Sequence, residues 1–329
     1  MQRNNVLDIA KSWAIFSVLT YHVINIMYYN QPIHSFIDTY FLTLFFIVSG
    51  LLTKKTKVCQ EGWLKKQTIH LLLPFITVFI IYRLYLFCVK GSTILLVQAF
   101  DDSKSGFWFL FSLYSFFLTI KLIEVFTSWI KNKFLMYAMC ILPFLISIVL
   151  CSVLSYEIAG YLSMMSFRRY WLFFLYGYIV SNYYNYQELL SKKIVQYLSF
   201  ILYSVLLLIY VVIVQDVNTN LDFAIWFAAN FVGCHFWLLL FEKAKNHLSN
   251  GIILSIGQNT LGIYLLHYFP LSVVSSVFFL GGGNSLNDSL LYWLMAIMAI
   301  VVILSTSCFL TWLVKLNRIT AMLFLGIKE

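Results

Sequence analysis

The sequence predicts an all-α, polytopic membrane protein of about ten transmembrane helices with both termini in the cytoplasm, and three observations carry that prediction. Of 329 residues, 61% are hydrophobic and only 11% are charged, with a mean hydropathy of +0.85. Soluble domains are near half apolar and a quarter charged, so this composition leaves too little polar surface for one. The apolar residues gather in runs of about 20, the helix length that crosses a hydrocarbon core. Most Lys and Arg sit in short clusters between those runs or at their edges.

The runs fall at 6–28, 34–53, 68–89, 107–127, 133–154, 163–183, 192–214, 221–241, 254–279 and 288–314. Most connections are short. The longer ones are 54–67, 90–106 and the stretch around Gly281-Gly282-Gly283. No linker, internal repeat or low-complexity tract interrupts the chain, so 1–329 reads as a single membrane-embedded domain. The first run holds Asp8 and Lys11, continues past Tyr28 and lacks a small-residue cleavage site. It reads as a retained helix, not as a signal peptide.

Charge placement sets the orientation. With the N-terminus inside, sixteen of the 22 Lys and Arg fall on the cytoplasmic side, against Lys90 and Lys104 outside. That asymmetry is the positive-inside pattern, and it holds only for an even number of spans. The formal charge of +9 is therefore spread over membrane flanks and offers no nucleic-acid surface. The six cysteines are scattered and form no C-x-x-C, which excludes a disulfide framework or zinc-site reading.

Four basic residues remain, Lys11, Arg83, Arg168 and Arg169, within or at the lip of apolar runs. An ionisable group there costs at least ~2.5–3.5 kcal/mol at a helix centre, so each is a functional candidate. In the first run, Lys11 and His22 are eleven residues apart, about 20° past three full turns and about 16 Å along one helix face. Asp8 and Asn25 extend the same stripe. Such a stripe faces protein or a water-filled cavity. Its plainest account is an i,i+3 pair of Asp8 with Lys11 and one interhelical hydrogen bond from His22.

The motifs along the chain resemble those of a known family. Leu7-Asp8-Ile9-Ala10-Lys11 followed by His22 is similar to the opening motif of the acyltransferase 3 family of membrane-bound O-acyltransferases. Phe45-Phe46-Ile47-Val48-Ser49-Gly50 resembles its F-F-x-x-S-G segment, and Phe107-Trp108-Phe109-Leu110 its W-F-L segment. Arg169 to Tyr178 resembles its aromatic helix ending in G-Y. Gly257 to His267 resembles the late G-x-N-[ST]-L-x-I-Y-L-x-H segment. Lys11, where many members have Arg, points to the branch resembling fucose O-acetylases, as a stand-alone member. Against that branch, Tyr40-Phe41-Leu42-Thr43 stands where a Phe-His-Met-Pro run is common; where basic residues often precede the Pro opening helix 3, Lys65, Lys66 and His70 stand before Pro74.

The resemblance implies transfer of an acyl group, commonly acetyl from acetyl-CoA, to a hydroxyl of a cell-surface polysaccharide, lipid-linked sugar or glycolipid in a bacterial cytoplasmic membrane. That chemistry needs a base, a cationic phosphate site and donors for an oxyanion. His22 fits the base, or a transient acyl carrier. Lys11 fits a holder of CoA phosphate. His22, Arg83 and His267 lie about 20–24 Å from the inner helix ends. With Arg168 and Arg169 they would form a cationic belt in the outer half, suited to a polyhydroxylated or anionic acceptor. Trp108 would stack on a sugar. The plainer accounts are snorkelling for Arg83 and Arg168, a satisfied core histidine for His267 and an interfacial aromatic for Trp108. These histidines and arginines have no nearby carboxylate, so no metal is expected. The rival class is a transporter or flippase for lipid-linked saccharides; transporters often show internal repeats or paired broken helices, and the sequence shows neither, which favours the enzyme.

Overall fold

A computed structural model describes residues 4–27, 31–91, 106–129, 133–184, 188, 192–214, 219–280 and 290–327. The connection over 92–105 with Lys104, and Gly281-Gly282-Gly283, lie outside the described residues. Every regular element among those described is helical. All ten apolar runs are occupied by helix, and the protein is an all-α polytopic membrane protein. By length and apolar composition, six described helices can cross a membrane, or seven if one bent pair counts as a span. The sequence expectation of ten is larger for a physical reason. Asn5–Met27 and Met164–Tyr183 carry two charges each together with polar or tyrosine-rich turns, which lowers their apolar character, and the apolar helix Tyr137–Val153 is shorter than the others. The helices also show their lipid-facing character directly. Leu198, Phe200, Ile201, Leu202, Val205 and Leu208 lie exposed along Lys193–Ile209, an apolar face fitted to acyl chains.

The chain divides into two compact units. The first comprises Met1–Val48 and Asn185–Trp312. In it, helix Asn5–Met27 packs against Asn220–Leu248, Gly251–Gln258, Thr260–Leu266 and Tyr268–Leu280. The tightest of these contacts has a sequence cause. A Cβ on Gly257 would collide with the Asp8 carbonyl and the Ser12 hydroxyl, so only glycine allows that approach. Ser12 Oγ then donates to the Ile253 carbonyl at 2.5 Å. Further along the helix, Leu19 and Val23 pack with Leu271, Tyr292, Ala296, Ile300 and Ile303. That cluster fixes the segment carrying His22.

The second unit comprises Ser49–Tyr184 and Leu313–Glu329. Here Gly50 meets the backbone of Phe174, Gly177 and Tyr178, so the F-F-x-x-S-G and G-Y segments are two halves of one helix crossing. Glu124 is a buried carboxylate of this unit. One carboxylate oxygen accepts from Tyr178 Oη at 2.7 Å, and the other pairs with Lys55 Nζ at 2.9 Å. Lys54 Nζ donates to the Ser181 carbonyl at 2.8 Å, and Lys121 Nζ to the Val58 carbonyl at 2.7 Å. Three lysines of the basic connection and its neighbours thus tie it to two long helices.

Candidate functional site

Five of the seven residues singled out in the sequence are set within helices, and the remaining two lie at helix ends or breaks. Lys11, His22 and His267 belong to the first unit; Arg83, Trp108, Arg168 and Arg169 belong to the second. The five-residue cationic belt is therefore divided between the units.

In the first unit the two histidines come together. Their ring centroids are 5.3 Å apart at an interplanar angle of 31°. His267 stands at the junction of Thr260–Leu266 and Tyr268–Val277, which bend by 41°. Pro270 accounts for the bend. It lacks the N–H that would reach the Leu266 carbonyl, and its ring crowds the preceding turn. The flanking bonds persist, His267 N to the Ile263 carbonyl and Leu271 N to the His267 carbonyl, each at 3.0 Å. The imidazole at the kink is buried. The sequence reads 254–279 as one continuous apolar run, and the bend interrupts it.

The His267 ring is wholly buried. Its Nδ1 lies 2.6 Å from the Tyr264 carbonyl, which can only accept, so Nδ1 carries the proton. In the neutral ring Nε2 is then the basic nitrogen. It is buried without a hydrogen-bond partner. His22, partly buried, presents Nε2 at 3.5 Å from Tyr268 Oη. Tyr268 also packs its ring on His267, with centroids 4.1 Å apart. Two imidazoles and one phenol thus converge on one point.

At the other end of the same helix, Lys11 Nζ pairs with Asp8 Oδ1 at 2.8 Å. The i,i+3 pair anticipated as the plainest account is present. Asp8 is buried, while the lysine side chain keeps 19% of its surface exposed. Asn25 of the same stripe is exposed.

In the second unit, helix Met164–Tyr183 begins after Ser163, placing Arg168 and Arg169 one turn inside it rather than at its first residue. Arg169 is exposed and Arg168 partly so. Neither they nor Arg83 are isolated charges. Trp108 stacks on Tyr170, centroids 5.6 Å apart and 26° between planes, so one indole face is already covered.

Sequence reasoning missed three features. Tyr268 gave no periodic signal, although Pro270 two residues on could have announced the bend beside it. Glu124 is a carboxylate within an apolar run and should have been a candidate on that ground alone. Asp38 Oδ2 accepts from both Tyr210 Oη at 2.7 Å and Trp226 Nε1 at 2.8 Å. The residues of that cluster are far apart in the sequence, and nothing in their spacing joins them. Among the described residues, no three His, Cys, Asp or Glu side chains gather as a metal ion requires.

A chain whose described elements are all helical, several of them of membrane-spanning length, is a multi-pass membrane protein. Its lineage is more specific. The family model described as an acyltransferase domain, that of acyltransferase 3, matches residues 4–312, nearly the whole chain. The chain belongs to the acyltransferase 3 family and is a membrane acyltransferase. No curated protein and no solved structure matches it.

Proposed function

We propose that the protein is an O-acyltransferase that moves acetyl from acetyl-CoA to a hydroxyl of a cell-surface polysaccharide, lipid-linked sugar or glycolipid, in a bacterial cytoplasmic membrane. The observation that carries this reading is the His22–His267 pair. A buried imidazole nitrogen with a fixed tautomer and no internal partner, beside a second imidazole, is suited to handling a substrate proton. His22 takes the proton of the acceptor hydroxyl as the oxygen attacks the thioester carbonyl. The proton then passes to the sulfur of the departing CoA. His267 Nε2 receives a hydrogen bond from His22 or from the acceptor, which relieves its buried vacancy.

Lys11 is proposed to hold a CoA phosphate, with Asp8 positioning its ammonium between turnovers. The Lys11–His22 spacing of about 16 Å along the helix is comparable to an extended pantetheine arm. Arg83, Arg168, Arg169 and Trp108 are proposed to contact the acceptor. The N-terminus and the 54–67 connection are assigned to the cytoplasmic side, where CoA is found.

The test is release of free CoA by the purified protein in lipid nanodiscs. Acceptor-dependent release from acetyl-CoA is expected when an envelope glycan or glycolipid fraction is supplied. Movement of lipid-linked saccharide across a proteoliposome membrane with no consumption of acetyl-CoA would establish the transporter reading instead. Among the described residues, the bend at His267 is a feature that would suit that rival.

A further inference from the structure

We infer that Tyr268 is a catalytic residue whose hydroxyl donates to the thioester carbonyl oxygen as that oxygen becomes negative. The inference rests on the acyltransferase reading above and adds a role to the same site. An acyl transfer that generates an oxyanion away from bulk water needs a donor placed beside the base. Tyr268 Oη is 3.5 Å from His22 Nε2, at the long limit of a hydrogen bond, so the two groups stand side by side. A tetrahedral reacting centre approaching the pair from one face has the base and the O–H donor next to each other, each within reach of a different oxygen. The ring is held in place by its packing on His267 and by the T-shaped contact with His22, centroids 5.5 Å apart. The His267 and Tyr268 rings meet at the bend, although successive residues of a regular helix point about 100° apart.

The step balances without a further reactant. The acceptor O–H bond breaks and its proton goes to His22. The acceptor oxygen bonds to the carbonyl carbon, and the carbonyl π pair moves onto oxygen, where the Tyr268 hydroxyl donates to it. Collapse of that intermediate expels the CoA sulfur, which takes the proton from His22. The products are an ester and a free thiol.

The experiment compares wild type with Tyr268→Phe in nanodiscs. The variant should lose about 100- to 1,000-fold in kcat, the range for one oxyanion donor, while KM for acetyl-CoA and acetyl-CoA binding stay within about threefold. Acetyl-dithio-CoA, with sulfur in place of the carbonyl oxygen, is a poor hydrogen-bond acceptor. With it, the ratio between wild type and variant should shrink toward one. Near-normal turnover by the variant would overturn the role of Tyr268 alone. So would loss of acetyl-CoA binding or of folded protein, shared by Tyr268→Leu, since that marks a structural tyrosine. An undiminished ratio with the dithioester would restrict the hydroxyl to orienting His22. A wild-type protein that transfers no acetyl group would overturn the acyltransferase reading itself.

Discussion

Lys11 is the residue on which two accounts divide, because the pair it forms with Asp8 fits both a structural and a donor-binding role. If it also holds CoA phosphate, Lys11→Gln removes binding common to ground and transition states. KM for acetyl-CoA should then rise about 10- to 100-fold with a smaller fall in kcat, on the order of 1.5–3 kcal/mol for one charge-assisted contact. Lys11→Arg should keep most activity, since guanidinium also serves phosphate. Steady-state kinetics on these variants and on Asp8→Asn with Lys11→Gln decides the matter. A double variant with normal yield and normal KM would leave the lysine only the task of neutralising Asp8. At this scale the sequence revealed the stripe on the first helix and both histidines, because intramembrane charge and helical spacing are legible in one dimension. It did not reveal Tyr268, Glu124–Tyr178–Lys55 or Asp38–Tyr210–Trp226. Each of those groupings is made by side chains from different helices, and no local spacing encodes it.

Helix crossings explain why two motif glycines sit where they do. Gly257 admits the carbonyl of Asp8 and Gly50 admits the backbone of Phe174, so a side chain at either must move backbone rather than a flexible tip. Gly257→Val and Gly50→Val should each destabilise the folded protein by about 1–3 kcal/mol or more, read as a lower thermal midpoint in detergent. Gly251→Ala is the control: a Cβ there meets nothing, and the midpoint should hold within a degree or two. A Gly257→Val protein as stable as wild type would remove close packing as the reason for the motif. Elements were legible where apolar runs are long, as in Lys193–Val214 and Asn220–Leu248. Breaks were not: the run over 254–279 resolves into Gly251–Gln258, Thr260–Leu266 and Tyr268–Leu280. Asn259 closes the first of these, its side-chain amide donating to the Ser255 carbonyl at 2.7 Å, and Pro270 bends the next junction. Hydropathy averages over both interruptions because neither changes the apolar content.

The chain matches its family over residues 4–312, and the orientation proposed for it, N-terminus inside, rests on where sixteen basic residues fall. Cys59, exposed in the connection between helices, is a native probe of that orientation. In a background lacking the other cysteines, an impermeant maleimide should label it only after the cells are opened. A cysteine introduced within 92–105 should label in intact cells. Labelling of Cys59 from outside would invert the topology and place the Lys11 end of the first helix away from cytoplasmic CoA. The central claim is that the paired histidines carry acyl transfer, and transfer of radiolabelled acetyl from acetyl-CoA to an envelope glycan or glycolipid fraction measures it directly. Purified wild-type protein should label that fraction with release of one free thiol per acetyl group, and His22→Ala should do so at least ~100-fold more slowly while remaining folded. Transfer by His22→Ala at the wild-type rate would contradict the claim.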